Sequence, residues 1–455
     1  MHENGRYVKL AQMLRRAAVA AAACALFLCA GTAGAEVVPG SQGAQDSLLA
    51  VAPDGSPRVA YVDASGAVVL AGRAADGTWA LSGIPLAAGA YEIVGLAQAP
   101  AGADVLVETA TGSRLVLAEQ HGASWRVRTV ASAPATGELG FGGLALDPSG
   151  RPLVAYASRL ASQKSYLRLV HEAAAGKLVG EAVTKLGFPK TSDLPTVAPV
   201  VLANGTTRIV EAFDGATIEW ARTKSHTDWT GQFLFANSLA QPAGVLRAVA
   251  SPGGGAWSAW TELYPDYGES DVILARNLNG QEANVLDTHA FLVALVNGAA
   301  GPELAADDYV DLEGARTVYA GLVIDPAGTE LELAGNLEGY AADAAGGRQY
   351  LLLDAGGVSW YRSPAPPTAR VTLAAAADGA TFVLTGRVTG ATGGTVELDR
   401  ETAAGAEPFA TVPVATDGTF TASDVPPVRP LVYRAIYRDA SGVPVAALTR
   451  DILGG

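Results

Sequence analysis

The stretch "DPSGRPLVAY" (Asp147–Tyr156) repeats, with few changes, the stretch "APDGSPRVAY" (Ala52–Tyr61). In each, a turn rich in proline and glycine joins an apolar run to a second apolar run. Two such runs around such a turn predict a β-hairpin. Because the phrase recurs, we interpret its proline and glycine as turn geometry in a repeated scaffold and not as a catalytic motif.

The turn glycine marks a repeat that runs through most of the chain. The spacings between successive turn glycines are 47, 48, 55, 49 and 74 residues, and a tryptophan follows the glycine by 23 or 24 residues in three repeats and by 32 in the last. Each repeat therefore predicts two hairpins, with strands A, B, C and D. The glycines are Gly55, Gly102, Gly150, Gly205, Gly254 and Gly328, and the tryptophans are Trp79, Trp125, Trp229 and Trp360.

These repeats predict an all-β fold, a β-propeller of six blades, because nearly continuous apolar runs are typical of small sheets covered on both faces. Seven blades is the alternative, since the interval after Gly254 is long and contains "AFLVALVNGAAG" (Ala290–Gly301). The last repeat is short after Trp360. We therefore expect "EVV", which begins at Glu36, to supply its outer strand and close the ring.

Residues 1–35 have the composition of a secretory signal peptide: a basic start, the apolar run "AAVAAAACALFLCAG" and the cleavage signal Ala33-Gly34-Ala35. We expect an extracellular protein, exported by the general secretory or the twin-arginine route. Cleavage removes four basic residues and one acidic residue, which takes the net charge from −14 to −17, and it also removes both cysteines. This charge excludes nucleic acid and anionic membranes as partners. We expect no membrane insertion of the mature chain, because no second apolar run long enough to span a bilayer follows the leader. A monomer is expected.

A second domain follows the proline-rich stretch "RSPAPPTAR". Residues 36–363 form the predicted propeller, residues 364–370 the linker, and residues 371–455 a predicted immunoglobulin-like or fibronectin-like β-sandwich. About seven short strands separated by turns over this last segment are typical of such a sandwich.

The turns "ADGTW" and "HGASW" resemble the Asp-box turn of sialidase-like propellers, although Asp76 adjoins Gly77 and Gln120 replaces the aspartate of the second copy. The chain thus resembles secreted bacterial propellers with degenerate repeats of this type, and "LTGRVTG", "DGTF" and "YRAIY" resemble bacterial Ig-like modules. In that family the box is structural. An active sialidase also needs an arginine triad, and Arg222 and Arg276 recur in successive repeats where a unique site requires singular residues.

The connections between strands B and C vary most, so we expect the functional surface there. Three long loops are predicted: Ala157–Ser165, Thr261–Asp271 and Gly335–Gly347. Aromatic rings next to carboxylates suit carbohydrate stacking or Ca²⁺ binding, and solvated loops are the alternative. The candidate ligand-binding residues are Tyr156, Arg159, Trp260, Tyr264, Asp266, Tyr267, Glu269, Asp271 and Tyr340. The residues expected to end strand B are Tyr61, Glu108, Tyr156, Glu211, Trp260 and Ala334.

These observations favour a non-catalytic binding protein that recognises a glycan, an envelope component or a protein through one propeller face. No cofactor is expected, with Ca²⁺ as the alternative. A sialidase-like glycoside hydrolase or lyase of propeller fold is the second hypothesis, with Glu108 and Glu211 as its acid and base. Capping of solvent-exposed strand ends is the favoured alternative role of these two glutamates. A purely structural surface protein is the third.

Overall fold

The computed structural model describes most of the chain from Glu36 to Asp451. The predicted signal peptide, residues 1–35, lies outside the described residues and stays a prediction. No described residue lies in a helix, so none belongs to a helix long and apolar enough to cross a membrane. The positions not described are 88, 134–136, 141, 161, 163, 174–175, 187–193, 214–215, 223–227, 237–240, 252–253, 265–268, 278–280, 289, 299–300, 313–315, 325–329, 335, 344–345, 355, 364–368, 391–392, 403–404, 428–431, 439, 441–443 and 452–455.

Antiparallel sheets built from consecutive strands make up the first part of the chain. Strand β1 covers Glu36–Val37. Sheet 1 contains β2 (Asp46–Val51), β3 (Pro57–Val62), β4 (Val68–Arg73) and β5 (Trp79–Gly83). Sheet 2 contains β6 (Tyr91–Ala99), β7 (Gly102–Thr109), β8 (Arg114–His121) and β9 (Ser124–Ser132). Sheet 3 contains β10 (Glu138–Leu139), β11 (Gly143–Leu146), β12 (Pro152–Arg159), β13 (Ser165–Glu172) and β14 (Leu178–Leu186).

The same pattern continues through four more sheets. Sheet 4 contains β15 (Thr196–Val201), β16 (Thr207–Phe213), β17 (Ala216–Arg222) and β18 (Thr230–Ala236). Sheet 5 contains β19 (Gln241–Ala250), β20 (Ala256–Tyr264), β21 (Glu269–Asn277) and β22 (Gln281–Thr288). Sheet 6 contains β23 (Ala290–Gly298), β24 (Gly301–Leu312), β25 (Arg316–Ile324) and β26 (Glu330–Ala334). Sheet 7 contains β27 (Asn336–Ala342), β28 (Arg348–Asp354), β29 (Gly357–Ser363) and the distant strand β1.

The sheets stand around one axis. The innermost strand of each sheet contacts that of the next, in the cyclic order β2, β6, β11, β15, β19, β23, β27 and back to β2. Small residues allow this approach: a Cβ atom at Gly95 would lie 2.7 Å from the Cβ of Leu144, and one at Gly339 would lie 2.9 Å from the Cβ of Leu49. The inner strands enclose a cavity of about 200 Å³. This ring confirms the predicted all-β propeller.

The sheet topology of the described residues has seven members in the ring, one more than the favoured count of six. The extra sheet is sheet 6, and Ala290–Gly301 supplies its first strand, as the alternative count expected. The count of six was wrong because Gly328, which lies outside the described residues, falls in the sequence between the third and fourth strands of sheet 6 and not between the first and second. In sheet 7 the turn between the first and second strands contains Gly346, which has a φ of 80°.

The first strand of the described chain closes the ring, as predicted. Glu36 pairs with Trp360 and Val37 with Ser359, so β1 is the outer strand of sheet 7. Trp360 itself therefore lies in the third strand and not at the start of the outer one. The Glu36 carboxylate also accepts hydrogen bonds from Trp79 Nε1 (2.6 Å) and Arg73 Nε (2.8 Å), which tie sheet 7 to sheet 1.

The repeated phrase forms the turn between the first and second strands, as predicted. Asp147 Oδ1 accepts hydrogen bonds from the backbone N–H groups of Ser149 (2.8 Å) and Arg151 (2.9 Å). Gly150 has a φ of 79°, a conformation in which glycine is strongly favoured. The aspartate and glycine therefore serve backbone geometry.

The remaining strands form two further sheets that share a core. They are β30 (Arg370–Asp378), β31 (Thr381–Thr389), β32 (Thr395–Thr402), β33 (Gly405–Pro413), β34 (Thr419–Asp424), β35 (Val432–Arg438) and β36 (Pro444–Asp451). One sheet has the order β30-β31-β34 and the other β33-β32-β35-β36. Leu384, Leu398 and Tyr433 pack in a core that continues to Tyr361 of sheet 7. The Ig-like class of this unit, its boundaries and the linker stay predictions.

Candidate functional site

The face on which second strands turn into third strands, here called the upper face, carries shorter loops than the sequence predicted. Strand β12 extends to Arg159 and β13 begins at Ser165, so the first predicted loop shrinks to residues 160–164. Strands β20 and β21 similarly leave only residues 265–268, so Asp266 and Tyr267 lie outside the described residues. The prediction of long loops is wrong, because polar strand ends resemble loops although their backbone pairing continues.

The third predicted loop, Gly335–Gly347, is wrong for a different reason. It contains β27, the innermost strand of sheet 7, and the turn after it. Tyr340 is therefore a core residue that lines the central cavity and is 2% exposed. Its hydroxyl donates a hydrogen bond to Glu303, and its ring centroid lies 5.4 Å from that of Tyr350. The structure does not bring Tyr340 together with the other candidates.

The residues expected to end strand B do lie in second strands, with one exception. Tyr61, Glu108, Tyr156, Glu211 and Trp260 are all buried, at 8% exposure or less. Ala334 is the exception, because it ends β26, the outer strand of sheet 6.

Sheet 3 divides the candidates between two interfaces. Tyr156 pairs with Arg168 of β13 and packs with Leu115 of sheet 2, so both residues belong to the interface between sheets 2 and 3, called the 2/3 interface. Arg159 pairs with Ser165 on the opposite face of the sheet, where sheet 4 packs. Because side chains alternate along a strand, Tyr156 and Arg159 cannot contact the same ligand from this sheet without crossing it.

The 2/3 interface places an arginine among hydroxyl and aromatic groups at the upper face. Arg168 is half-buried, its Nε donates to Ser158 Oγ (3.1 Å), and its guanidinium carbon lies 5.2 Å from the ring centroid of Tyr166. It forms no ion pair with a described residue. Burial raises the pKa of Tyr156, and the charge of Arg168 works in the opposite direction. The exposed Lys185 stands opposite Tyr166 on β14.

The interface between sheets 3 and 4, the 3/4 interface, contains a buried carboxyl group. Glu211 is 2% exposed, and its Oε1 accepts a hydrogen bond from Trp220 Nε1 (2.9 Å). Its Oε2 has no partner among the described residues. Burial raises the pKa of Glu211 to about 7, although the bond from Trp220 lowers it. Arg159 reaches the same interface but is ion-paired with Glu138.

The interface between sheets 4 and 5, the 4/5 interface, contains Trp260, which is 1% exposed. Its Nε1 donates to Glu262 Oε1 (3.1 Å), and its ring meets Phe235 edge-on at 5.9 Å. Glu262 stands directly opposite Asp271 in the β20–β21 ladder. The structure thus brings Trp260 and Asp271 to one interface.

Two further candidate residues form the last pair of the β20–β21 ladder. Tyr264 and Glu269 are direct partners across β20 and β21, but their side chains lie outside the described set. No group of three potential metal-ligating side chains occurs among the described residues. Asp266 lies outside the described residues. Calcium at this loop therefore stays a prediction.

Four residues of these interfaces were not predicted from the sequence: Ser158, Tyr166, Arg168 and Glu262. The alternation of residue types along β12 and β13 could have identified Ser158, Tyr166 and Arg168. In "SYLRLVHE", tyrosine and arginine occupy alternate positions of an otherwise apolar strand, which places both on one face of the sheet. In "YAS" (Tyr156–Ser158) the same alternation places Tyr156 and Ser158 on one face of β12. Only the pairing register brings the two strands together.

Comparisons with protein-family models and with curated proteins give no match. Solved structures similar to the chain include three β-propellers. The Cps50 (Swd1) propeller domain of Myceliophteria thermophila is 12% identical (TM-score 0.46, 72% of this chain and 99% of that one). The Aleuria aurantia lectin in complex with Fucα1-6GlcNAc is 12% identical (0.38, 70% and 94%). The Penicillium chrysogenum α-L-arabinanase complexed with arabinobiose is 13% identical (0.40, 72% and 97%). At these identities the similarity concerns the fold alone.

Proposed function

We propose that the protein is a non-catalytic binding protein that recognises a glycan through its upper face. The observation that carries this proposal is the 2/3 interface, where Arg168, Tyr156 and Tyr166 present hydrogen-bond donors and an aromatic ring. The guanidinium and the Tyr156 hydroxyl have bonding capacity that no described residue uses. Sugars are bound by such combinations of directed hydrogen bonds and aromatic faces.

The carboxyl groups of the second strands argue against a hydrolase built on them. Glu108 belongs to sheet 2 and pairs with Leu115, whose side chain packs against sheet 3. Glu211 belongs to sheet 4 and pairs with Ile218, on the face of sheet 4 that packs against the other side of sheet 3. Sheets pack roughly 10 Å apart, so the backbones of sheets 2 and 4 lie roughly 20 Å apart, and sheet 3 stands between the two carboxyl groups. Glycosidases need the pair within about 5 to 9.5 Å.

A glycan-array measurement on the mature chain, residues 36–455, tests this function. We expect binding without turnover, lost in Arg168→Gln and weakened in Tyr156→Phe, with unchanged circular dichroism. Binding unaffected by both substitutions would contradict the proposed face. Hydrolysis of a bound glycan that Glu108→Gln or Glu211→Gln abolishes would contradict the non-catalytic assignment.

One observation favours a glycoside hydrolase as a second candidate. Glu262 and Asp271 are direct cross-strand partners, so their Cβ atoms lie about 5 Å apart, close to the separation of a retaining pair. Glu262 is, however, 1% exposed and bonded to Trp260. Release of reducing ends that both Glu262→Gln and Asp271→Asn abolish would establish the hydrolase, and no release from any bound glycan would exclude this pair.

We further propose that residues 1–35 are cleaved, that the protein acts outside the cell, and that residues 371–455 form an Ig-like spacer. The sequence features of the leader and the two packed sheets after Arg370 support these proposals. N-terminal sequencing of the exported protein should begin at Glu36. A start within the leader would contradict the predicted cleavage site.

A further inference from the structure

We propose that the 2/3 interface binds the carboxylate group of an acidic sugar, with Arg168 as its partner. This inference rests on the proposed glycan-binding function and specifies the ligand class. It concerns one interface of the ring, defined by Ser158, Tyr156, Tyr166, Arg168 and Lys185.

The state of Arg168 distinguishes this interface from the arginines around it. Arg159, in the same sheet, is ion-paired with Glu138, and Arg128, in the neighbouring sheet, is ion-paired with Glu119 at 2.5 Å. Arg168 is half-buried, like many ion-paired arginines, but among the described residues only its Nε has a hydrogen-bond partner. Partial burial of a cation without a counter-ion is unfavourable, and a ligand carboxylate would remove that cost.

The surroundings hold the guanidinium ready for a planar anion. The bond from Nε to Ser158 and the contact with the Tyr166 ring fix its orientation. The terminal nitrogens then remain available, and two parallel N–H groups match the two oxygens of a carboxylate. The Tyr156 hydroxyl lies near the same charge and adds a neutral donor.

Sheet 3 brings cations to this interface, whereas the whole chain is acidic and the facing β6–β7 ladder carries the paired positions Glu92 and Glu108. Lys185 stands directly opposite Tyr166 in the β13–β14 ladder, so it lies on the same side of sheet 3 as Arg168, whose guanidinium contacts the Tyr166 ring. The repulsion from distant acidic residues is screened beyond about 8 Å at physiological ionic strength. A single carboxylate can therefore bind here although the net charge of −14 opposes dense polyanions.

The facing sheet limits the number of charges that fit. Glu108 belongs to the same interface from sheet 2 and is 5% exposed. Its carboxyl would repel a second anionic group but could accept hydrogen bonds from sugar hydroxyls. The expected ligand thus carries one carboxylate per sugar among neutral hydroxyls, as a uronic acid does.

Matched ligands that differ only in charge test the proposal. Calorimetry on residues 36–455 would compare galacturonate oligosaccharides with their methyl esters, which keep the shape and lose the charge. We expect the acid to bind about tenfold or more tightly than the ester, because charge-assisted hydrogen bonds contribute more than neutral ones. Arg168→Gln should abolish the preference. Arg151→Gln, which alters an exposed arginine paired with Asp147, should leave it unchanged.

The possible results distinguish failure of the carboxylate site from failure of the proposed glycan-binding function. Equal affinity for acid and ester, or a preference retained in Arg168→Gln, overturns the carboxylate site while glycan binding stands. Failure of the mature chain to bind any carbohydrate on the array overturns the proposed function itself. If Arg168→Gln does not fold, Arg168→Lys keeps the charge but loses the fork, and it should reduce the preference without removing binding.

Discussion

Replacing Glu211 by glutamine should stabilise the protein at high pH and not at low pH. Burial raises the pKa of this carboxyl from its ordinary value of 4.5 to about 7. Below 4.5 both the folded and the unfolded chain hold the proton, so the group costs nothing. As the pH rises to about 7, the unfolded chain releases the proton first, and the free energy of unfolding falls.

The magnitude follows from the size of the shift. One pKa unit corresponds to about 1.4 kcal/mol, so the ionised carboxylate costs about 3 kcal/mol above pH 7. Glutamine has the same shape, cannot ionise, and can still accept the bond from Trp220 through its oxygen. Part of the gain is offset because the amide N–H groups of glutamine would replace Oε2 of Glu211, an atom with no hydrogen-bond partner among the described residues. We therefore expect a net gain of about 1 to 3 kcal/mol.

Urea denaturation at about pH 4 and about pH 8 measures this difference. The matched control is Glu219→Gln, on the opposite face of the same sheet, because Glu219 is equally buried but ion-paired with Arg208. Its loss should destabilise the protein by about 2 kcal/mol or more at the higher pH, since Arg208 loses its partner. A Glu211→Gln variant that is less stable than the wild type at both pH values would show that the buried carboxylate does not destabilise the folded chain.

Three further substitutions test other parts of the structure. Burial, together with a neighbouring carboxylate, raises the pKa of Asp104 to about 7, so Asp104→Asn should increase the urea midpoint near pH 8, and a gain that persists near pH 4 would contradict this. Glu36→Ala removes two hydrogen bonds of the closing strand and should cost about 1 to 2 kcal/mol, seen as a lower melting temperature. Gly95→Ala should cost about 1 to 3 kcal/mol, because its Cβ would clash with the next inner strand. Gly83→Ala, which has open space, is the control, and equal effects would argue against tight inner packing.

The parts of the fold that depend on local chemistry could be predicted from the sequence. Hairpins at Asp147 and Asp54 follow from turn residues whose backbone requirements are local. The closing strand could be predicted because the last repeat lacked one. The number of sheets could not, because "DPAG" (Asp325–Gly328), which lies outside the described residues, has the composition of a turn between first and second strands but falls in the sequence between β25 and β26. Turn residues identify a turn but do not say which pair of strands it joins.

The candidate site was harder to predict, since it depends on which side of a sheet each residue faces. Tyr156 and Arg168 are 12 positions apart in the sequence and meet only because β12 and β13 pair in one register. A shift of one residue would place Arg168 in the 3/4 interface instead. Tyr340 fails as a surface candidate for the same reason, because its strand is the innermost of its sheet.

A crystal structure of the mature chain with a bound galacturonate oligosaccharide would locate the ligand directly. We expect intact carbohydrate at the 2/3 interface, with a carboxylate paired to the terminal nitrogens of Arg168 and with the Tyr156 hydroxyl within hydrogen-bond distance of the sugar. Two results would contradict the proposed site: carbohydrate bound at the face opposite the upper face, or cleaved sugar beside Glu262 and Asp271.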